Sequence, residues 1–217
     1  MKRIICYGDS NTYGYSAELN AQPNCKTNRF DESIRYPKVL QALLGNEYEV
    51  IEEGCGGRTT DCDDGIQKHV NGLTYLYPCL CSHCPAEALI IMLGTNDFGF
   101  RQEKTAESTT MGLRNLLEEV CRWSKDRNCA VPRILIMSPV PFGKINGNVI
   151  DEGHQKIMGE SGKLRIYYRK LADEYGCDFL AAEDYAEVSS LDGIHLTATG
   201  HRALGKAVYE KLREMDI

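Results

Sequence analysis

The feature that most constrains this chain is a series of short, unbroken apolar runs, most of them stopped by glycine or proline. Residues 2–7 (KRIICY), 48–52 (YEVIE), 87–93 (EALIIML), 133–138 (RILIMS) and a short stretch at 178–180 form the series. A strand with one wet face alternates apolar and polar residues, whereas a continuous apolar run must be covered on both faces. Helix-like segments separate the runs. Val39, Leu40, Leu43 and Leu44 recur at helical spacing over 36–44, with Pro37 suited to a first turn. Leu113, Leu116, Leu117 and Val120 mark a helix at about 105–125. Leu164, Tyr168, Leu171 and Tyr175 mark one near 155–175, and Leu204, Ala207, Val208 and Leu212 one over 198–213. This alternation predicts an α/β fold, a three-layer α/β/α sandwich around a central parallel sheet. The polar, aperiodic segments 15–33 and 142–155 read as loops. With no repeat and no linker, residues 1–217 read as a single domain.

Composition narrows the function classes. The formal charge is −6 and no run of Lys or Arg occurs, so the clustered cations that nucleic acid requires are missing. No stretch approaches the ~18 apolar residues of a membrane span. The apolar stretch after Lys2 and Arg3 is too short for a secretory signal. The ten cysteines are therefore expected to stay reduced, in the cytoplasm, most of them as small buried hydrophobes.

In a doubly wound sheet, ligands bind at the carboxyl ends of the strands. Three runs end there in polar or glycine-rich turns. The first is Gly8-Asp9-Ser10-Asn11-Thr12-Tyr13-Gly14. A serine at such a turn suits a nucleophile beside helix N–H groups, and equally suits an N-cap. The second is Gly54-Cys55-Gly56-Gly57-Arg58-Thr59-Thr60, whose glycines let backbone N–H groups approach a substrate. The third is Gly94-Thr95-Asn96-Asp97, where an Asn amide is a good oxyanion donor and an Asn-Asp pair is also a common turn. Near the C-terminus, Asp192-Gly193-Ile194-His195 offers a base and an acid to orient it, just before a helix with Thr197 or Thr199 as its N-cap. Singly each motif is weak; together they supply nucleophile, base, orienting acid and oxyanion donors.

These four blocks, in this order, resemble the SGNH (GDSL-type) hydrolases, and the likeness runs from residue 8 to residue 195. The resemblance implies that Ser10 is the nucleophile, His195 the general base and Asp192 its orienting acid. It implies an oxyanion hole from the backbone N–H groups of Ser10 and Gly57 and the Asn96 side chain. Val50-Ile51-Glu52-Glu53-Gly54, Arg58-Thr59-Thr60 and Ile90 to Asp97 are closest to the arylesterase and acyltransferase branch, which acts on small acyl esters and forms homo-oligomers. The chain departs from that branch at Asn11 and Tyr13, where the branch has Leu and Trp, and at Gly57, where it has Ala. Asn11 and Tyr13 are thus candidate substrate-binding residues, and Arg58, which matches the branch, is a third that could contact a substrate carboxylate or sugar hydroxyl or equally form a structural salt bridge. A small-molecule ester is the expected partner, with no cofactor and no catalytic metal.

Other candidates carry less. Asp9 reads as a hydrogen-bonding anchor of its turn, and His201 as a surface or satisfied residue on the last helix. A cysteine nucleophile at Cys6 or Cys55 is disfavoured, because Ser10 explains the His195 constellation better. Cys79, Cys81, His83 and Cys84 lie within six residues, but structural zinc sites usually join knuckles from two distant segments.

Overall fold

The computed structural model describes residues 1–22, 27–63, 69–99 and 104–217. Five strands form one parallel sheet: β1 (Lys2–Gly8), β2 (Tyr48–Gly54), β3 (Ala88–Met92), β4 (Arg133–Ser138) and β5 (Asp178–Ala181). Their spatial order is β2-β1-β3-β4-β5. The chain therefore switches direction of winding between β1 and β3, where such sheets open a crevice. Ile5 and Tyr7 of β1 face one side and Ile4 and Cys6 the other, while every residue of β3 is buried.

Among the described residues eight α-helices follow in chain order: α1 (Ser10–Tyr13), α2 (Ala17–Asn20), α3 (Tyr36–Leu44), α4 (Gly72–His83), α5 (Ala106–Arg127), α6 (Glu152–Ser161), α7 (Leu164–Tyr175) and α8 (Ala198–Glu214). One face of the sheet packs on α4, α5 and α7 through Leu76, Leu80, Leu113, Leu116, Tyr168 and Leu171. The other packs on α3 and α8 through Tyr36, Leu40, Leu204, Val208 and Leu212. The expected sandwich is thus observed.

The structure corrects the sequence reading in three places. Residues 72–83 form α4, a helix that sequence reading passes over because Pro78 lies inside it. Gly72, Leu76, Cys79 and Leu80 supply its buried face, and Asn71 caps it by accepting from the Thr74 N–H at 3.2 Å. The helix expected near 155–175 is two helices, α6 and α7, divided at Gly162 and Lys163. Asp151 starts α6 inside the expected loop 142–155 by accepting from the His154 N–H at 2.8 Å. The segment 15–33 contains the single turn α2, capped by Ser16; its residues 23–26 lie outside the described ones.

Candidate active site

β1 ends at Gly8, and the chain turns at once into α1. Asp9 is the N-cap: its Oδ1 accepts from the Asn11 N–H at 2.9 Å, which leaves Ser10 as the first helical residue rather than the cap. The Tyr13 N–H donates to the Asp9 carbonyl, and the Gly14 and Tyr15 N–H groups both donate to the Ser10 carbonyl, each at 2.9 Å. The turn is therefore closed on itself, and the Ser10 hydroxyl is directed to one fixed place. Gly54 allows this close packing. A Cβ there would lie 2.1 Å from the Tyr13 nitrogen and 2.6 Å from the Thr12 carbonyl carbon.

The Asp192–His195 loop meets this turn from the far end of the sequence. Asp192 Oδ1 accepts from the backbone N–H groups of Ile194 (2.9 Å) and His195 (3.1 Å), while Oδ2 lies 2.7 Å from His195 Nδ1. A carboxylate only accepts, so Nδ1 carries the proton and Nε2 presents its lone pair. Ser10 Oγ stands 2.9 Å from that Nε2, the geometry for handing over the hydroxyl proton. Burial pulls the Asp192 carboxyl up, but the bonds from His195 and the two backbone N–H groups outweigh it and hold the carboxyl below its usual range. The acid therefore stays ionised, as a partner for an imidazolium must.

Gly193 makes the loop tight enough, with φ at 69°. A Cβ there would also sit 2.4 Å from the Gly143 carbonyl oxygen. The Tyr15 ring lies against the imidazole, 4.2 Å between centroids, and limits its rotation. Sequence reading offered no signal for Tyr15, which falls in a segment read as loop.

Asn11, an expected substrate-binding residue, bridges the Ser10 turn and the Asp192–His195 loop. It is 4% exposed; its Oδ1 accepts from the Leu196 N–H at 2.9 Å and its Nδ2 donates to the Ile194 carbonyl at 3.4 Å. Arg58 is likewise turned inward. Its Nη1 donates to the carbonyls of Gly8 (2.9 Å) and Glu53, and its guanidinium lies 4.4 Å from the Tyr7 ring centroid and 5.1 Å from that of Tyr75. Among the described residues no carboxylate is paired with Arg58; its hydrogen bonds go to backbone carbonyls and its guanidinium lies over two rings. Tyr13 is half-buried beneath the Arg29 guanidinium at 4.3 Å.

Asn96 follows β3. Its Nδ2 donates to the Arg58 carbonyl at 3.0 Å and reaches Asp9 Oδ2 at 3.5 Å. Gly57 lies in the neighbouring turn, at φ 79°, closed by the Arg58 N–H on the Cys55 carbonyl at 3.1 Å. Asp97 binds the two turns together by accepting from both the N–H and the hydroxyl of Thr60. Asp9 and Asp97 are almost wholly enclosed, and burial pushes each carboxyl up to about 6. His201, expected at the surface or satisfied, is fully buried; burial pushes it down to about 3, and its Nε2 has no hydrogen-bond partner. It packs edge-on against Phe30 and beneath the Tyr36 ring, behind the nucleophile turn.

Serine, histidine and aspartate in hydrogen-bonded series at the switch point of a parallel sheet form an arrangement that can activate a serine hydroxyl. The sequence pattern of the GDSL-like lipase/acylhydrolase family matches residues 6–203, and the chain belongs to that family, as a carboxylic ester hydrolase. It is similar to the native aryl esterase of M. smegmatis, at 33% identity and a TM-score of 0.89, with 99% of each chain covered. It is also similar to a carbohydrate acetylesterase from Sinorhizobium meliloti, at 32% identity and a TM-score of 0.86, covering 99% of this chain and 100% of that one. No curated protein matches the chain. Among the described residues no helix is long and apolar enough to cross a membrane.

Proposed function

We propose that the protein hydrolyses short-acyl carboxylic esters, acetyl esters foremost, through an acyl-Ser10 intermediate. The observation that carries this reading is the unbroken series from Asp192 to His195 (2.7 Å) to Ser10 (2.9 Å). Ser10 Oγ attacks the ester carbonyl while its proton passes to His195 Nε2. The negative charge that forms on the carbonyl oxygen is met by the N–H groups of Ser10 and Gly57 and by the Asn96 amide. Each such donor is typically worth ~3 kcal/mol of barrier. Asn96 would turn its weaker bond, the 3.5 Å contact with Asp9, toward this oxygen. His195 then gives its proton to the departing alkoxide, leaving the acyl group on Ser10. Water attacks the acyl carbonyl, losing a proton to His195, and the Ser10 oxygen leaves with that proton to release the acid.

Likeness over nearly the whole chain to an aryl esterase and a carbohydrate acetylesterase supports a small acyl group, and supports an acetylated carbohydrate as one natural ester. Transfer to an alcohol or a peroxide is the alternative fate of the same intermediate, reached when the acceptor outcompetes water. Cytoplasmic residence and homo-oligomerisation remain part of this reading. The nine cysteines among the described residues are all free, which suits a reducing compartment.

The test is hydrolysis of p-nitrophenyl acetate, butyrate and octanoate by wild type and Ser10→Ala, with and without EDTA. We expect acetate to be fastest, EDTA to have no effect, and Ser10→Ala to lose on the order of 10⁴-fold or more in kcat. A Ser10→Ala enzyme that keeps its rate, or a wild type silenced by EDTA, overturns the mechanism.

A further inference from the structure

We propose that Glu53, Cys79 and His83 form a binding site for a divalent transition-metal ion of the zinc type, separate from the catalytic triad. Cys79 and His83 lie four residues apart on α4, so their side chains share one face of the helix, one turn apart. Glu53, near the C-terminal end of the edge strand β2, meets that face. His83 Nε2 is 2.7 Å from Glu53 Oε1, and the nitrogen, oxygen and sulfur ligand atoms all lie within 4.8 Å of one another. Around one zinc ion, bond lengths of ~2.0–2.3 Å place tetrahedral ligands about 3.3–3.7 Å apart. Small side-chain rotations bring the three atoms into that range.

The donor set selects the ion. Imidazole, thiolate and carboxylate together suit a borderline-soft cation, whereas magnesium or calcium would ask for oxygen alone. One thiolate and one carboxylate also neutralise a 2+ charge. Cys79 is fully buried and closes the inner side, while the Glu53 and His83 side chains are 17% and 26% exposed. Entry from solvent is therefore open, and water can complete the tetrahedron. Outer contacts orient the ligands, as metal sites require. The Tyr75 hydroxyl donates to Glu53 Oε1 at 3.5 Å, while Arg3 donates to the His83 backbone carbonyl at 3.3 Å and so ties down the end of α4 that carries the imidazole. The neighbouring Arg58 does not compete for the carboxylate, since its hydrogen bonds go to the carbonyls of Gly8 and Glu53. Burial, and then the charge of Glu53, push the Cys79 thiol up to about 12, so the ion enters by displacing a proton.

A second trio among the described residues, Asp61, Cys62 and Asp97, makes an informative contrast. The Lys104 ammonium stands 3.4 Å from Asp61 and 3.6 Å from Asp97 and already supplies the cation there. Among the described residues no lysine is paired with Glu53.

The test is titration of the phosphine-reduced protein with Co²⁺, read by thiolate-to-cobalt charge-transfer absorption, followed by Zn²⁺. We expect one equivalent of Co²⁺ to develop the band and one equivalent of Zn²⁺ to bleach it. Cys79→Ser and His83→Gln should each lose it, whereas Cys81→Ser should retain it. His83 lies at the last turn of α4, so its variant tests the site even if Cys79→Ser proves unstable. No band in wild type, a band that survives His83→Gln, or one that vanishes in Cys81→Ser overturns the proposal.

Discussion

Ser10 stands on a turn rooted in the sheet, whereas Asp192 and His195 stand on a loop that no strand delivers directly. The Ser10 turn is 7% exposed at Ser10 and wedged against β2, where only glycine fits at position 54. The Asp192 and His195 side chains are 27% and 17% exposed. Hydrogen bonds hold their loop in place: Asn11 to Leu196 and Ile194, the Gly143 N–H to the Gly193 carbonyl (2.8 Å), and the Asn146 N–H to the Ser190 carbonyl (2.7 Å). Close packing resists small changes steeply. A hydrogen-bonded loop yields one bond at a time, each worth about 1 kcal/mol of stability. Damage to the first region should therefore register mainly in folding, and damage to the second mainly in rate.

The largest effect should come from Gly54→Ala. Its methyl would lie against the backbone of Thr12 and Tyr13, and neither can swing aside as a side chain could. Overpacking of this kind costs about 3 kcal/mol or more. We expect a lower denaturant midpoint in urea, or no soluble protein. A Gly54→Ala enzyme with wild-type stability would mean that the turn is not rooted where the comparison places it.

The two regions should also answer pH in opposite senses. Asp97 in the rooted region is raised to about 6 from an ordinary 3.8. Between those values the native state holds a proton that the unfolded chain has released, so its contribution is full in acid and is lost as pH rises through about 6. Relative to Asp97→Asn, wild type should thus lose up to about 3 kcal/mol between pH 4 and pH 7. Asp192 is lowered instead, so its contribution is present above the ordinary carboxylate value and is lost as pH falls through its folded value. The gap between wild type and Asp192→Asn should therefore stay constant near neutrality and close below about pH 4. Urea midpoints at pH 3.5, 5 and 7 check both, and parallel curves for the two variants would dissolve the distinction.

Asn11→Ala removes the link between the regions. The buried Leu196 N–H loses its acceptor, which costs about 2 kcal/mol of stability. Because the lost bond fixes His195 against Ser10, we expect kcat to fall about 10–100-fold with KM nearly unchanged. A fall in stability with kcat untouched would show that the loop finds its place without Asn11.

The same contrast explains what the sequence disclosed. The rooted elements were readable because buried parallel strands must be continuously apolar, and the runs ending at Tyr7 and Leu93 delivered both Ser10 and Asn96. Asp192 and His195 were readable only as a motif, since nothing in the residues between 139 and 191 says what braces them. Asn11 reads as a substrate contact because it stands beside Ser10 where the arylesterase branch has Leu; its actual bond, to Leu196, spans 185 residues of sequence. Helix α4 escapes sequence reading because Pro78 and the cysteines at 79, 81 and 84 obscure an apolar face in which Cys79 acts as a hydrophobe. The division of α6 from α7 follows from Gly162 and from the packing of Leu164 and Tyr168, which a single continuous helix would not describe.

The smallest effect should come from His154, at the first turn of α6. Its Nδ1 accepts from the Ile150 N–H at 3.1 Å, so Nε2 carries the proton and donates to the Gly143 carbonyl, also at 3.1 Å. Gly143 in turn bonds Gly193, which places His154 two links from the loop that carries His195. Both bonds lie near the surface, so His154→Ala should cost about 1 kcal/mol or less. If the loop is held mainly from the nucleophile side, kcat should drop less than about threefold, well below the effect of Asn11→Ala, and the double variant should show nearly the Asn11→Ala rate. If His154→Ala instead matches Asn11→Ala, the Gly143–Ile150 segment is the principal brace. The loop would then depend on α6 rather than on the turn it serves.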